Sequence, residues 1–393
     1  MKIVKRIAAA CLAAVLALSM SGCHKANEIA ASYDDIEITS GMYLAMLLEA
    51  DGNARNLVDE QNTDENGDKV SISDYGKMTV STDDGDVAYY DYVKDEAKKL
   101  VRQYIATEVL AKENKVTLSD EDKSGLETYV NYYWNNYGYK TMYEANGVGL
   151  DSYTDYMRNA GYLRGNLFTA IYGKDGTTPV SEDELSEYMN KNYCIADVIS
   201  ESLSSTDSDG NTTTLTEDEA AELLEKLKGY AGRINNGESF ETVYHEYTGK
   251  EHEDADKADA ESTDDTSSDT SSETDETADE EKELTPLDSH ATLIYGEETG
   301  YDSYNSVDFD EVYKMKVGEV KVIETDESYS LVVKGDIAAD PYYLQSLDET
   351  LRQLVKGDEF NDLLDKKGGE LDIKYNNSEI RYLNPKKITY DVY

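Results

Sequence analysis

Residues 309–334, FDEVYKMKVGEVKVIETDESYSLVVK, constrain the fold more than any other stretch of the chain. Phe309, Val312 and Tyr313, with Lys316 beyond them, predict a short amphipathic helix that Gly318 ends. Two alternating runs follow, Val320–Lys321–Val322 and Tyr329–Ser330–Leu331–Val332–Val333, around the polar turn Thr325–Asp326–Glu327–Ser328. The segment therefore reads as a helix, a tight connection and a β-hairpin.

A chain of 393 residues has room for two or three domains. Its 83 acidic residues against 37 basic ones give a formal net charge of −46, which excludes nucleic acid as a partner, because binding phosphates requires neutralising them with Lys and Arg. Tyrosine is abundant at 33 while Phe stands at 4, so much of the aromatic surface carries a hydroxyl that can face water or an apolar partner. The three cysteines, at 11, 23 and 194, form no disulfide framework: the first two belong to the leader and its processing site, and the third is alone.

The leader occupies residues 1–22. Met1–Arg6 holds three basic residues, and Ile7–Met20 is an apolar run too short for a comfortable membrane span. Its end, Leu18–Ser19–Met20–Ser21–Gly22–Cys23, resembles a bacterial lipobox, with Met20 where leucine is usual. That resemblance implies that Cys23 becomes the mature first residue and carries lipid, anchoring the protein at the outer face of the bacterial cell membrane. The plainer alternative is a cleaved signal with an incidental cysteine.

Next, Ile29–Tyr33 and Ile36–Ile38 flank an Asp34–Asp35 turn, and Thr39–Ser40 can cap a helix starting near Gly41. Residues 51–86 are polar and acidic, and read as a long surface loop with one hairpin. Helical spacing returns with Val93, Ala97, Leu100, Val101, Tyr104, Ile105 and Ala111. Ser119 and Asp122 predict a capping box opening a second helix, and a third starts near Asp151. The aromatic group Tyr132, Tyr133, Trp134, Tyr137, Tyr139 and Tyr143 is too large to turn wholly inward. It reads either as core filling with a few exposed rings or as a client-binding surface of rigid amphipathic rings.

Pro179 breaks the chain, and Val180–Ser181–Glu182–Asp183–Glu184–Leu185 restarts it with a capping box before the strand Ile195–Ala196–Asp197–Val198–Ile199. A polar hairpin, Ser204 to Thr214, precedes a helix capped by Thr216 with Glu219, which Phe240, Val243, Tyr244 and Tyr247 are expected to continue. Residues 251–285 are roughly half Asp and Glu, and cannot bury enough apolar surface to offset the entropy of ordering. Asp340–Pro341 opens another long helix through Leu344, Leu351, Phe360 and Leu364, and Leu371–Tyr375 reads as a strand.

This order of parts resembles the PrsA and SurA family of foldases, whose chaperone domain carries a parvulin-type (PpiC) peptidyl-prolyl isomerase domain. The family's "V-S-D-E-E-L" lead-in is similar to Val180–Leu185, its "A-x-H-I-L" strand to Ile195–Ile199, and its closing Gly-Tyr-His-Ile-Ile to Ser328–Val332. On this alignment Asp197 and Ser330 stand where the family has its two active-site histidines. The resemblance implies an α+β fold: a helical SurA-like chaperone domain, 23–178 with a returning segment 336–393, and a parvulin-like α/β domain with a small antiparallel sheet, 179–335, interrupted by the acidic insertion. It also implies an extracytoplasmic chaperone for unfolded or nascent secreted polypeptides, with monomer and homodimer both open. The degenerate positions imply that the isomerase site is lost. An active isomerase with a rearranged pocket and a dedicated cell-surface binding module are the alternatives.

No cofactor or metal is read from the spacing. The four histidines are His24, His245, His252 and His290, and His245 with His252 borders an acidic run where such pairs are common without an ion. Cys194, one residue before the strand, reads as a small buried side chain.

Overall fold

The computed structural model describes residues 28–63, 70–83, 85–206, 212–249 and 284–390. The leader with Cys23, and the acidic run 251–283, lie outside the described residues. The chain divides into two compact units, Met1–Pro179 with Lys356–Tyr393, and Val180–Val355.

The first unit opens with the hairpin β1 (Ile29–Tyr33) and β2 (Ile36–Thr39), turned at Asp34, whose φ of 48° is one that Asp tolerates. Thr39 caps α1 (Ser40–Gln61) by accepting from the Met42 backbone N–H at 3.3 Å. Residues 51–61, expected in a surface loop, instead continue this helix. Their polar letters mislead because Asp51 faces inward at 1% exposure. It accepts from Arg55 Nε at 2.8 Å, Tyr89 Oη at 2.9 Å and Tyr390 Oη at 3.0 Å, while Ala54 and Val58 fill the same core. The hairpin expected within 51–86 is β3 (Thr79–Thr82) with β4 (Gly85–Ala88).

Helix α2 (Tyr89–Asn114) buries Val93, Ala97, Val101, Ile105 and Ala111 on one stripe. The Ser119 and Asp122 capping box starts α3 (Asp120–Asn136), and α4 (Tyr139–Ala145) and α5 (Leu150–Met157) follow. A π turn at Arg158–Leu163 joins α5 to α6 (Arg164–Tyr172).

The second unit begins with α7 (Glu182–Asn192), opened by the Ser181 and Glu184 capping box, and runs directly into β5 (Tyr193–Ser202). The polar hairpin β6 (Ser204–Thr206) and β7 (Thr212–Thr214) leads to α8 (Glu217–Asn235). Helix α9 (Phe240–Thr248) is separate rather than a continuation, because Gly237 takes φ 98° and Ser239 caps a new start. Strand β8 (Thr292–Tyr295) was not expected; it pairs with β5. Then come α10 (Phe309–Tyr313), β9 (Val320–Glu324) and β10 (Ser328–Lys334), the elements expected from residues 309–334. The four strands form an antiparallel sheet in the order β8–β5–β10–β9.

The helix expected from Asp340–Pro341 is two, α11 (Pro341–Ser346) and α12 (Asp348–Glu370), separated at Leu347. Residues 336–355, expected with the helical unit, belong to the sheet unit: Ile337 and Tyr343 are buried there, and Arg352 donates to the Val180 carbonyl at 3.1 Å. From Lys356 onward α12 is part of the first unit, where Phe360 meets Phe168 edge-on at 5.3 Å. The expected C-terminal strand is the short β11 (Lys374–Tyr375), paired with β1, and α13 (Asn377–Ile380) follows.

Candidate functional site

Side chains alternate across a strand, so the register of β5 against β10 decides which residues share a face. Asp197 lies opposite Val333 and Ser330 opposite Ser200. Cys194, Ala196 and Val332 join one apolar cluster, with Val307, Val312 and Met315. Ile199 and Leu331 join another, with Leu227, Phe240 and Val243 from α8 and α9. By parity Ser330 belongs to the first face and Asp197 to the second. The structure therefore does not bring the two positions together; they look out from opposite sides of the sheet.

On the first face the Ser200 and Ser330 hydroxyls share a hydrogen bond at 2.7 Å. Ser330, 2% exposed, lies beside Ile323 in the next strand. Both line a cavity of about 710 Å³ whose other apolar surface comes from Val307 and Phe309. Its remaining wall is polar and largely acidic, with Glu297, Asp302, Asp308, Asp310, Asp326 and Glu327, and no Lys or Arg lines it among the described residues. The β9–β10 turn is held by Thr325, whose hydroxyl meets the Ser328 backbone, and Asp308 caps α10 by accepting from the Glu311 N–H at 2.8 Å. Half of these acidic residues, Asp310, Asp326 and Glu327, come from residues 309–334. The acidic residues at 297, 302 and 308 were not singled out in the sequence, although the run Thr292–Tyr295 just before them carries a strand signal.

On the second face Asp197 is 8% exposed, and its Oδ1 has no hydrogen-bond partner among the described residues. Burial, then the charge and hydrogen bonding of the neighbouring Asp288, push its carboxyl up to about 7. Tyr343 is pushed up to about 12, chiefly by burial and then by Asp340, with smaller contributions from Asp288 and Asp197. His290 follows Asp288 by two positions, and its ring lies 6.0 Å from that of His245. Asp288 escaped sequence reasoning because nothing local marks it as facing Asp197, 91 positions earlier.

Cys194 is buried, and burial pushes its thiol up to about 11, away from reactive thiolate chemistry.

In the first unit the aromatic group divides. Trp134, 4% exposed, packs with Tyr143 at 6.0 Å and Tyr153 at 5.5 Å inside the core. Tyr132 and Tyr137 are 50% and 57% exposed and contact each other edge to face at 5.4 Å. Tyr133 bridges the two sets, stacking on Tyr137 at 5.1 Å and touching Tyr139 at 5.7 Å. A separate cavity of about 760 Å³ has Ile36, Val116, Leu118, Leu126 and Leu163 in its walls, and none of the Tyr132–Tyr143 rings.

No protein-family model matches the chain, and no curated protein matches it. Among solved structures it is similar to PrsA from Bacillus subtilis, at 17% identity and TM-score 0.25 over 75% of this chain and 91% of that one. It is similar to foldase protein PrsA from Streptococcus pneumoniae at 15% identity and TM-score 0.32, over 79% and 98% of the two chains. Foldase protein PrsA from Lactococcus lactis matches at 13% identity and TM-score 0.32, over 92% and 100%. These three solved structures are of PrsA proteins.

Proposed function

We propose that the chain is a chaperone of the foldase type, anchored outside the membrane through lipid on Cys23, that holds unfolded or nascent secreted polypeptides. In this reading it works without the imidazole pair of the parvulin family. The observation that carries the reading is the cavity around Ser330: a concave site with apolar surface from Val307, Phe309 and Ile323, whose Ser330 hydroxyl shares a hydrogen bond with that of Ser200. Such a site can take up an extended peptide, and no histidine lines it among the described residues. The six carboxylates favour clients in which Lys or Arg flanks apolar side chains, since unlike charges steer encounter and like charges suppress it. No helix among the described residues is long and apolar enough to cross a membrane.

The test combines aggregation and isomerisation measurements on the purified chain. It should suppress aggregation of unrelated unfolded clients, bind cationic peptides more tightly than anionic ones, and lose that preference at high salt. Asp308→Asn with Asp326→Asn and Glu327→Gln should weaken cationic-peptide binding several-fold while keeping the Asp308 cap of α10. Equal binding of cationic and anionic peptides would remove the role given to this cavity.

A second reading has its own observation. Asp197 is a buried carboxyl with a raised pKa beside Asp288, close in sequence to His290, and could serve a rearranged isomerase pocket on the other face. Turnover of a prolyl peptide that disappears in Asp197→Asn would favour it over the holding function.

A further inference from the structure

The fold brings together two histidines and a glutamate that the sequence keeps apart. Glu241 and His245 lie one turn apart on α9, with Glu241 Oε1 and His245 Nε2 separated by 3.8 Å. His290, 45 positions beyond His245, arrives from the lead-in to β8. One ligand atom from each of the three lies within 4.8 Å of the others. Residues 245 and 290 are the two histidines among the described residues of this chain, and they meet here.

We propose that Glu241, His245 and His290 form a binding site for a divalent transition-metal ion of the zinc class. Two imidazole nitrogens and one carboxylate oxygen make a borderline N/O donor set that suits zinc, cobalt or nickel better than calcium or magnesium, which take oxygen ligands. Zinc bonds of about 2.0–2.2 Å place tetrahedral ligand atoms about 3.3 Å apart, so the site closes by roughly an ångström. Glu241 is the exposed member of the three, so its side chain is the one that would move. The imidazoles are held more firmly. His290 packs against Tyr244 at 5.1 Å and Phe240 at 6.2 Å, and its backbone N–H donates to Asp288 Oδ1 at 2.9 Å. His245 is part of helical backbone, its side chain 22% exposed.

Three protein ligands leave a coordination position for water or for a group on a bound partner. The ion would also tie α9 to the segment just before β8, clipping together two parts that are far apart in sequence. Sequence reading considered His245 only with His252, seven positions on, and so missed a pairing that depends on the β8–β5 register.

A carboxylate-rich chain attracts any cation, so the test has to isolate the imidazoles. The purified full chain is titrated with Co2+ and Zn2+ in the presence of excess Ca2+, following the visible Co2+ bands, the stoichiometry by calorimetry and the melting temperature. One Co2+ per chain, displaced by Zn2+, is expected, with a rise in melting temperature. His245→Asn with His290→Asn, which leaves every carboxylate in place, should weaken binding at least about 100-fold, the upper end of what losing an outer-shell partner costs. It should also abolish the bands. Glu241→Gln, at an exposed helix position, should lower affinity in the same direction without unfolding α9, and so decides the matter if the double variant is unfolded in the absence of metal. Retention of the Co2+ bands in the folded double variant would overturn the proposal, as would unchanged affinity in Glu241→Gln or displacement of the transition metal by Ca2+.

Discussion

Ser200 and Ser330 stand opposite each other on β5 and β10 and hydrogen-bond through their hydroxyls at 2.7 Å, one side chain exposed and the other buried. A cross-strand hydroxyl pair of this kind contributes about 1 kcal/mol net. Ser200→Ala is therefore expected to cost about that much in urea unfolding. Client holding should stay at the parental level, because the pair is assigned no chemistry. A large loss of holding in Ser200→Ala would instead show that a hydroxyl on this face contacts the client.

Asp197 carries a pH dependence of definite sign. Its folded-state carboxyl is raised to about 7 by burial and by Asp288, while in the unfolded chain it titrates near the ordinary 3.8. Between those values the folded chain holds a proton that the unfolded chain has released, so this group's contribution to stability falls as pH rises through that window and levels off above about 7. Asp197→Asn removes the penalty. Its melting temperature should exceed the parent's at pH 8, and the difference should close below about pH 3, where the parent carboxyl is protonated in both states. Thermal melts of the two proteins across that range check both the sign and the window.

Asp51 supports a stability prediction in the first unit. It is buried, and accepts from Arg55 Nε, Tyr89 Oη and Tyr390 Oη at 2.8–3.0 Å. Asp51→Ala leaves those donors without their acceptor and is expected to destabilise this unit by about 3–5 kcal/mol. Tyr390→Phe removes one donor and should cost about 1.5–3 kcal/mol, the range for a hydrogen bond to a charged group. Denaturant unfolding followed by tyrosine fluorescence reads both.

What the sequence made legible was local. The capping boxes at Ser119, Ser181 and Thr216, the hairpin at 320–334 and the helical stripe of α2 each depend on residues within a few positions of one another, and each formed where their spacing placed it. The misreadings share the opposite cause. Asp51 belongs to a helix because donors from Tyr89 and Tyr390, 38 and 339 positions away, accommodate a buried carboxylate. Asp197 and Ser330 separate onto two faces because strand register is set by long-range pairing, and a change of one position in parity reverses a side chain. The same long-range pairing brings Asp288 and His290 to the second face, and nothing in the residues around them announces it.

The tyrosine-rich run 132–143 allows stability and function to be separated by mutation. Trp134 is a core residue, packed on Tyr143 and Tyr153, so Trp134→Ala should cost about 3–5 kcal/mol through lost burial and the cavity it leaves. Tyr132 and Tyr137 are half exposed and contact chiefly each other and Tyr133, so Tyr132→Ser with Tyr137→Ser should leave the melting temperature within a few degrees. If these rings hold clients, the same double variant should lose a measurable part of aggregation suppression, because exposed aromatic side chains supply large contact area at small entropic cost. Full suppression by a stable double variant would place client binding elsewhere, with the acid-walled cavity beside Ser330 the surface to test next.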